Sequence, residues 1–89
     1  MENFIGKVEF RGIEKGIGKS NGKEWVKIKF LIDDKPVDEF DKNDTLSVLL
    51  AENNVKVGQV INAIFKPYVN YNKDTRNFEL RNKVVGFEF

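Results

Sequence analysis

Apolar side chains at Val26, Ile28, Phe30 and Ile32 alternate with Trp25, Lys27 and Lys29, a period of two running from Glu24 to Asp33. Successive residues of a strand point to opposite faces, so this pattern specifies a strand with one buried and one wetted face. A single such strand is not stable in water, and the rest of the chain must supply its neighbours. Phe4 to Ile13 does so, with Val8 and Phe10 on one face and Lys7, Glu9 and Arg11 on the other. The segment joining the two, Glu14 to Lys23, contains Gly16, Gly18 and Asn21-Gly22, and Asn-Gly favours a tight hairpin turn.

Two further strands lie near the end. Gly58 to Tyr71 carries Ile61, Ala63, Phe65, Val69 and Tyr71 on one side, with Asn62, Lys66, Tyr68 and Asn70 on the other. Pro67 has no amide hydrogen, which places that stretch at a sheet edge or a bulge. After the polar turn Asn72 to Arg76, the strand Asn77 to Phe89 points Phe78, Leu80 and Val84 one way, then shifts phase to Val85, Phe87 and Phe89. A bulge near Asn82-Lys83 or a bend at Gly86 accounts for the shift. Between these pairs, Lys35 to Phe40 reads as a short strand after an Asp33-Asp34 turn. Thr45 to Leu50 reads either as a short helix capped by Asp44 or Thr45, or as the third strand itself.

With 89 residues there is room for one domain, 1–89. Five strands and a short helix between the third and fourth match a mainly all-β fold, the five-stranded Greek-key barrel of the OB type. An SH3-like barrel has a similar strand count, but the helix position and the long last hairpin favour the OB arrangement. Cysteine and histidine are both absent, which removes disulfides, thiolate and imidazole metal ligands, cysteine nucleophiles and histidine bases. No paired acid and base stands out, so the chain reads as a non-enzyme with no cofactor. It has neither a basic-then-apolar leader nor an apolar run of about 20 residues. A cytoplasmic location without membrane association is expected, and Asn43-Asp44-Thr45 is then a sequon without meaning.

The net charge of +1 conceals an uneven distribution. Asp33 to Asp44 holds six acids (Asp33, Asp34, Asp38, Glu39, Asp41 and Asp44) against Lys35 and Lys42, leaving the remainder at +5. That asymmetry hints at an anionic ligand. The acids lack EF-hand spacing and suit turns and caps better than metal. Gly18-Lys19-Ser20 resembles the end of a phosphate loop, but the required earlier glycine is Ile13, and a strand follows instead of a helix.

Trp25 shares a strand face with Lys27 and Lys29, so its ring is expected to be exposed beside two ammonium groups. A flat aromatic beside cations suits a base stacked above a phosphate path. The competing reading packs Trp25 under the glycine-rich loop or across one end of a barrel. The last hairpin gives a second group, Lys66, Tyr68, Tyr71, Lys73 and Arg76, with Arg81 on the returning strand; Lys23 in the first loop extends the basic surface.

Phe4-Ile5-Gly6-Lys7-Val8, Trp25-Val26-Lys27-Ile28-Lys29-Phe30, Lys56-Val57-Gly58-Gln59-Val60-Ile61 and Asn77-Phe78-Glu79-Leu80, in that order, resemble the single-stranded DNA-binding proteins of the bacterial and phage OB-fold type. The resemblance implies sequence-tolerant binding of single-stranded DNA, or RNA, in replication or recombination, with the hairpin after Ile61 gripping the strand. Proteins of that family recruit partners through an acidic tail, and with Gly86-Phe87-Glu88-Phe89 following the last strand such recruitment is not expected here. Dimerisation through the open edge of the first strand or the long hairpin is compatible with this reading and equally with a protein-binding one. The other function class is a protein-binding module, such as a small phage-encoded inhibitor or assembly subunit, using the exposed aromatics and the acidic segment.

Overall fold

The computed structural model describes residues 2–89. Its elements are β1 (Phe4–Ile17), β2 (Glu24–Ile32), β3 (Lys35–Phe40), α1 (Thr45–Glu52), β4 (Val60–Asn72) and β5 (Asn77–Glu88). All five strands are antiparallel in one open sheet of order β3-β2-β1-β4-β5. The fourth strand returns beside the first after three hairpin-linked strands, which is Greek-key order. Thr45 to Leu50 is therefore helical, and the third strand is Lys35–Phe40.

β1 organises the sheet by serving two neighbours in turn. Phe4 to Glu9 pairs with β4, and Glu9 to Ile17 pairs with β2. The register slips between Phe10 and Gly12, where Gly12 holds φ 123, a conformation that only glycine takes readily. The hairpin turns consequently project from opposite ends of β1. From Gly16 to Phe4 along β1 and on from Phe65 to Tyr71 along β4, a straight ribbon would run about 60 Å. The longest dimension of the molecule is 41 Å, so the sheet is coiled. Phe30 of β2 lies 6.0 Å from Phe87 of β5, although two strands separate them in the sheet.

Inside the coil lie Val8 and Phe10, Ile28 and Phe30, Ile61, Ala63 and Phe65, and Val84, joined by Leu46 and Leu50 of α1. The alternating apolar residues of β2 point inward as their period requires. The sequence places the cap of α1 at Asp44 or Thr45, and Asp44 does occupy the N-cap position, but its side chain does not serve the helix. Asp44 adopts a left-handed conformation (φ 57) with no side-chain bond to the helix. The buried Asp41 carboxylate instead accepts the Leu46 and Ser47 amides at 3.1 and 2.9 Å, and the Ser47 hydroxyl at 2.9 Å. Three residues upstream, it reaches N–H groups that lack partners within the helix.

The phase shift in β5 is a bulge. Ile64 faces Gly86 and Phe65 faces Val84, so Val85 is the extra residue and both Val84 and Phe87 turn inward. Beyond Phe65, β4 has β5 on one side and no strand on the other, the edge environment that Pro67 tolerates. From there the β4–β5 hairpin runs outward as a free arm.

Candidate nucleic-acid interface

The register assigns each candidate to a face. Gly16, Trp25 and, two residues on, Lys27 with its partners Glu14 and Phe40 all lie on the outer face of the sheet, as do Lys29 and Asp38. On the same face of the arm lie Lys66 with Lys83 and Tyr68 with Arg81. Tyr71 lies on the other face, against Phe78 with ring centroids 5.2 Å apart. Lys73 and Arg76 occupy the arm's turn, closed by the Asn72 carboxamide oxygen accepting the Asp74 amide at 2.9 Å. Lys23 is exposed in the β1–β2 loop, where its amide donates to the Asn21 side chain and its carbonyl accepts the Gly18 amide. That loop leads into β2, which leaves Gly18-Lys19-Ser20 without the helix of a phosphate loop.

Trp25 is half-buried, between the exposed ring and the packed ring that the sequence left open. Its ring lies on Gly16, where a Cβ would collide with it. Its edge meets Phe40 at 6.1 Å with the planes 79° apart, and the Lys27 ammonium stands 5.7 Å from the ring centroid. The packing under the glycine-rich hairpin and the aromatic beside a cation therefore coexist. Phe40 itself is exposed and completes an aromatic pair.

The two lysines beside Trp25 are not free ammonium groups. Lys27 bridges Glu14 and Asp38, each at 3.4 Å, and Lys29 meets Glu14 at 3.1 Å. The Lys29 hydrogen bond and the charges of both lysines hold the Glu14 carboxyl below its usual range. Burial disfavours the Lys27 charge, yet Glu14 and Asp38 outweigh it and raise that group above an ordinary lysine. Arg81 is tied at 3.0 Å to Glu79, which the Asn72 amide and then Arg81 hold below its usual range. Among the described residues, Lys23, Lys66, Lys73 and Arg76 of the candidate set make no ion pair.

The acidic segment Asp33 to Asp44 is dispersed by the fold. Asp33 and Asp34 make the β2–β3 turn at positive φ, Asp38 pairs with Lys27, and Asp41 caps α1. Glu39 faces β5 across the gap between the sheet edges. Burial pushes its carboxyl up, while the Val84 amide and the Lys83 charge pull it back. No group of three or more acids arranged to hold a metal ion occurs among the described residues.

Sequence reasoning missed Phe40 and Phe78. Phe40 was signalled by its phase, since it shares a face with Asp38 opposite the inward Val37. Phe78 follows the inward series of β5, but at its level the sheet has no core left to enter. Comparison with protein-family models, curated proteins and solved structures finds no match to this chain. No helix among the described residues is long and apolar enough to cross a membrane.

Proposed function

We propose that the protein binds single-stranded DNA, or RNA, without catalysis and with little regard to sequence, on the outer face of a partly open OB-type barrel. The observation that carries this reading is the pairing of Trp25 with the exposed Phe40 on a sheet face that also carries Lys27 and Lys29. Stacking on that pair is sequence-tolerant, since every base has a π-face. The path continues across β1 to the arm, where Lys66, Tyr68, Arg81 and Lys83 share the face. The barrel reading is supported by the Greek-key order, the helix between β3 and β4, and the approach of Phe30 in β2 to Phe87 in β5 at 6.0 Å.

The ion pairs set the terms of binding. Glu14 and Asp38 occupy the ammonium groups that phosphates would use, so Lys27 and Lys29 exchange a carboxylate for a phosphate when the strand arrives. Binding is accordingly modest at physiological salt and loosens as salt rises. Trp25→Ala and Phe40→Ala, each titrated with a fluorescent oligo-dT, test the reading. A stacked base makes each substitution cost about 1–3 kcal/mol of affinity. Unchanged affinity in both variants removes the stacking site.

A further inference from the structure

The inward-facing side of the sheet continues past the core at both ends of the molecule, and the two continuations differ. On the arm, the side shared with the core carries Val69 opposite Leu80 and Tyr71 opposite Phe78, all exposed, Phe78 to 75% and Leu80 to 67%. No described residue covers this ribbon. At the other end, α1 only partly covers the β1–β2 hairpin and leaves a groove of about 830 Å³. Ile13, Ile17 and Val26 form one wall, and Val48 and Ala51 form the other.

The charges around the two features are opposite in balance. The arm's turn presents Lys73 and Arg76 against Asp74. The groove is bordered by Glu24 and Asp44 against Lys15. The arm cannot fold back into its own groove, because the hairpins project from opposite ends of β1.

The molecule also carries more surface than its mass calls for. Its 6773 Å² exceeds by roughly 1,400 Å² the area typical of a compact monomer of 10.3 kDa. The radius of gyration, 14.1 Å, compares with about 12 Å for a compact chain of this length. The excess is the size of two patches of about 700 Å², close to what each partner buries in a stable interface.

We infer that the protein associates with further copies of itself head to tail, the apolar ribbon of one arm entering the groove between the β1–β2 hairpin and α1 of the next copy. Phe78 and Leu80 pack between the isoleucines of the hairpin and the apolar face of α1, and the arm's cations meet Glu24 and Asp44 at the rim. Each copy gives one arm and receives one, a heterologous contact that propagates along a line or closes into a ring. Phe40 lies outside the groove, whereas Gly16 and Trp25 contribute to its lining, so the contact borders the Trp25 end of the outer face.

Sedimentation velocity over a wide concentration range, without nucleic acid, reads this directly. The wild-type chain shows mass rising above 10.3 kDa with concentration. Phe78→Ser with Leu80→Ser lies on exposed residues, leaves the fold intact by circular dichroism, and weakens association at least about tenfold. Glu24→Lys alone and Lys73→Glu with Arg76→Glu alone each associate less than wild type, and mixing the two variants restores association. A wild-type mass that stays at the monomer value overturns the inference. So does association indifferent to Phe78 and Leu80, which means pairing at open strand edges, or a mixture no better than its components. Weaker oligonucleotide binding by the Phe78 and Leu80 variant, with a monomeric wild type, assigns the ribbon to nucleic acid and likewise overturns it. None of these masses depends on nucleic acid, so failure here leaves the proposed function standing.

Discussion

Removing one carboxylate is expected to strengthen binding. Glu14 lies within 3.4 Å of Lys27 and 3.1 Å of Lys29, so Glu14→Gln releases one of two partners from the first lysine and the only one from the second. If both ammonium groups become available to phosphates, the number of counterion-releasing contacts rises by up to two. For a single strand each contact adds about −0.7 to the slope of log affinity against log salt, so the slope steepens by about 1.4. Between ~50 and ~200 mM salt that steeper slope multiplies the loss of affinity about sevenfold beyond wild type. The gain is therefore largest at low salt. The substitution removes two ion pairs, and the Glu14 side chain they share is exposed, so their loss leaves the fold's stability close to unchanged, which a thermal melt checks. Anisotropy titrations of a labelled oligo-dT at several salt concentrations measure the slope, with Glu52→Gln on the exposed surface of α1 as the control for net charge alone. A Glu14→Gln slope equal to that of Glu52→Gln refutes the assignment of Lys27 and Lys29 to the phosphate path.

Further outcomes follow from the cap and the sheet gap. Asp41→Ala strips the acceptor from two helix amides and the Ser47 hydroxyl, and costs about 1–3 kcal/mol in denaturant melts. Asp41→Asn, which keeps one oxygen, recovers part of that loss. Glu39 has the opposite character to a salt-bridged acid. Its carboxyl is raised in the folded state, so its contribution favours folding at acid pH and is lost as pH rises through the folded value. Glu39→Gln therefore raises the melting temperature at neutral pH and not below the ordinary glutamate value of 4.5; equal shifts at both pH values contradict this. Glu14 and Glu79, both lowered, work the other way, and their contributions fade as pH falls through their folded values.

Strand alternation made most of the fold legible, because burial on one face leaves a period of two that no other element produces. β2 and β4 could be read directly for that reason, and so could the phase shift in β5, although its bulge at Val85 falls between the two places the sequence offered. The extension of β1 to Ile17 could not, since Gly16 breaks the pattern in order to carry the Trp25 ring. The N-cap position at Asp44 was legible, but the side chain that accepts the helix amides was not, because Asp41 acts from outside the usual capping position, beyond the left-handed turn at Asp44. The pairing of Lys27 with Glu14 and Asp38 was hidden for a related reason. Cross-strand neighbours depend on register, and the register of β1 against β2 is fixed by the slip at Gly12, not by any local spacing. Composition thus pointed to a basic face, and tertiary structure neutralised much of it.

The most direct test of nucleic-acid binding follows Trp25 emission while oligo-dT is added at low salt, and then while salt is raised. Trp25 is the chain's one tryptophan, so the signal reports a single place on the outer face. Quenching that saturates with oligonucleotide and reverses with salt is the predicted result. Unchanged emission together with an unbound oligonucleotide at low salt contradicts the account, and turns attention to a protein partner for the Trp25 and Phe40 pair.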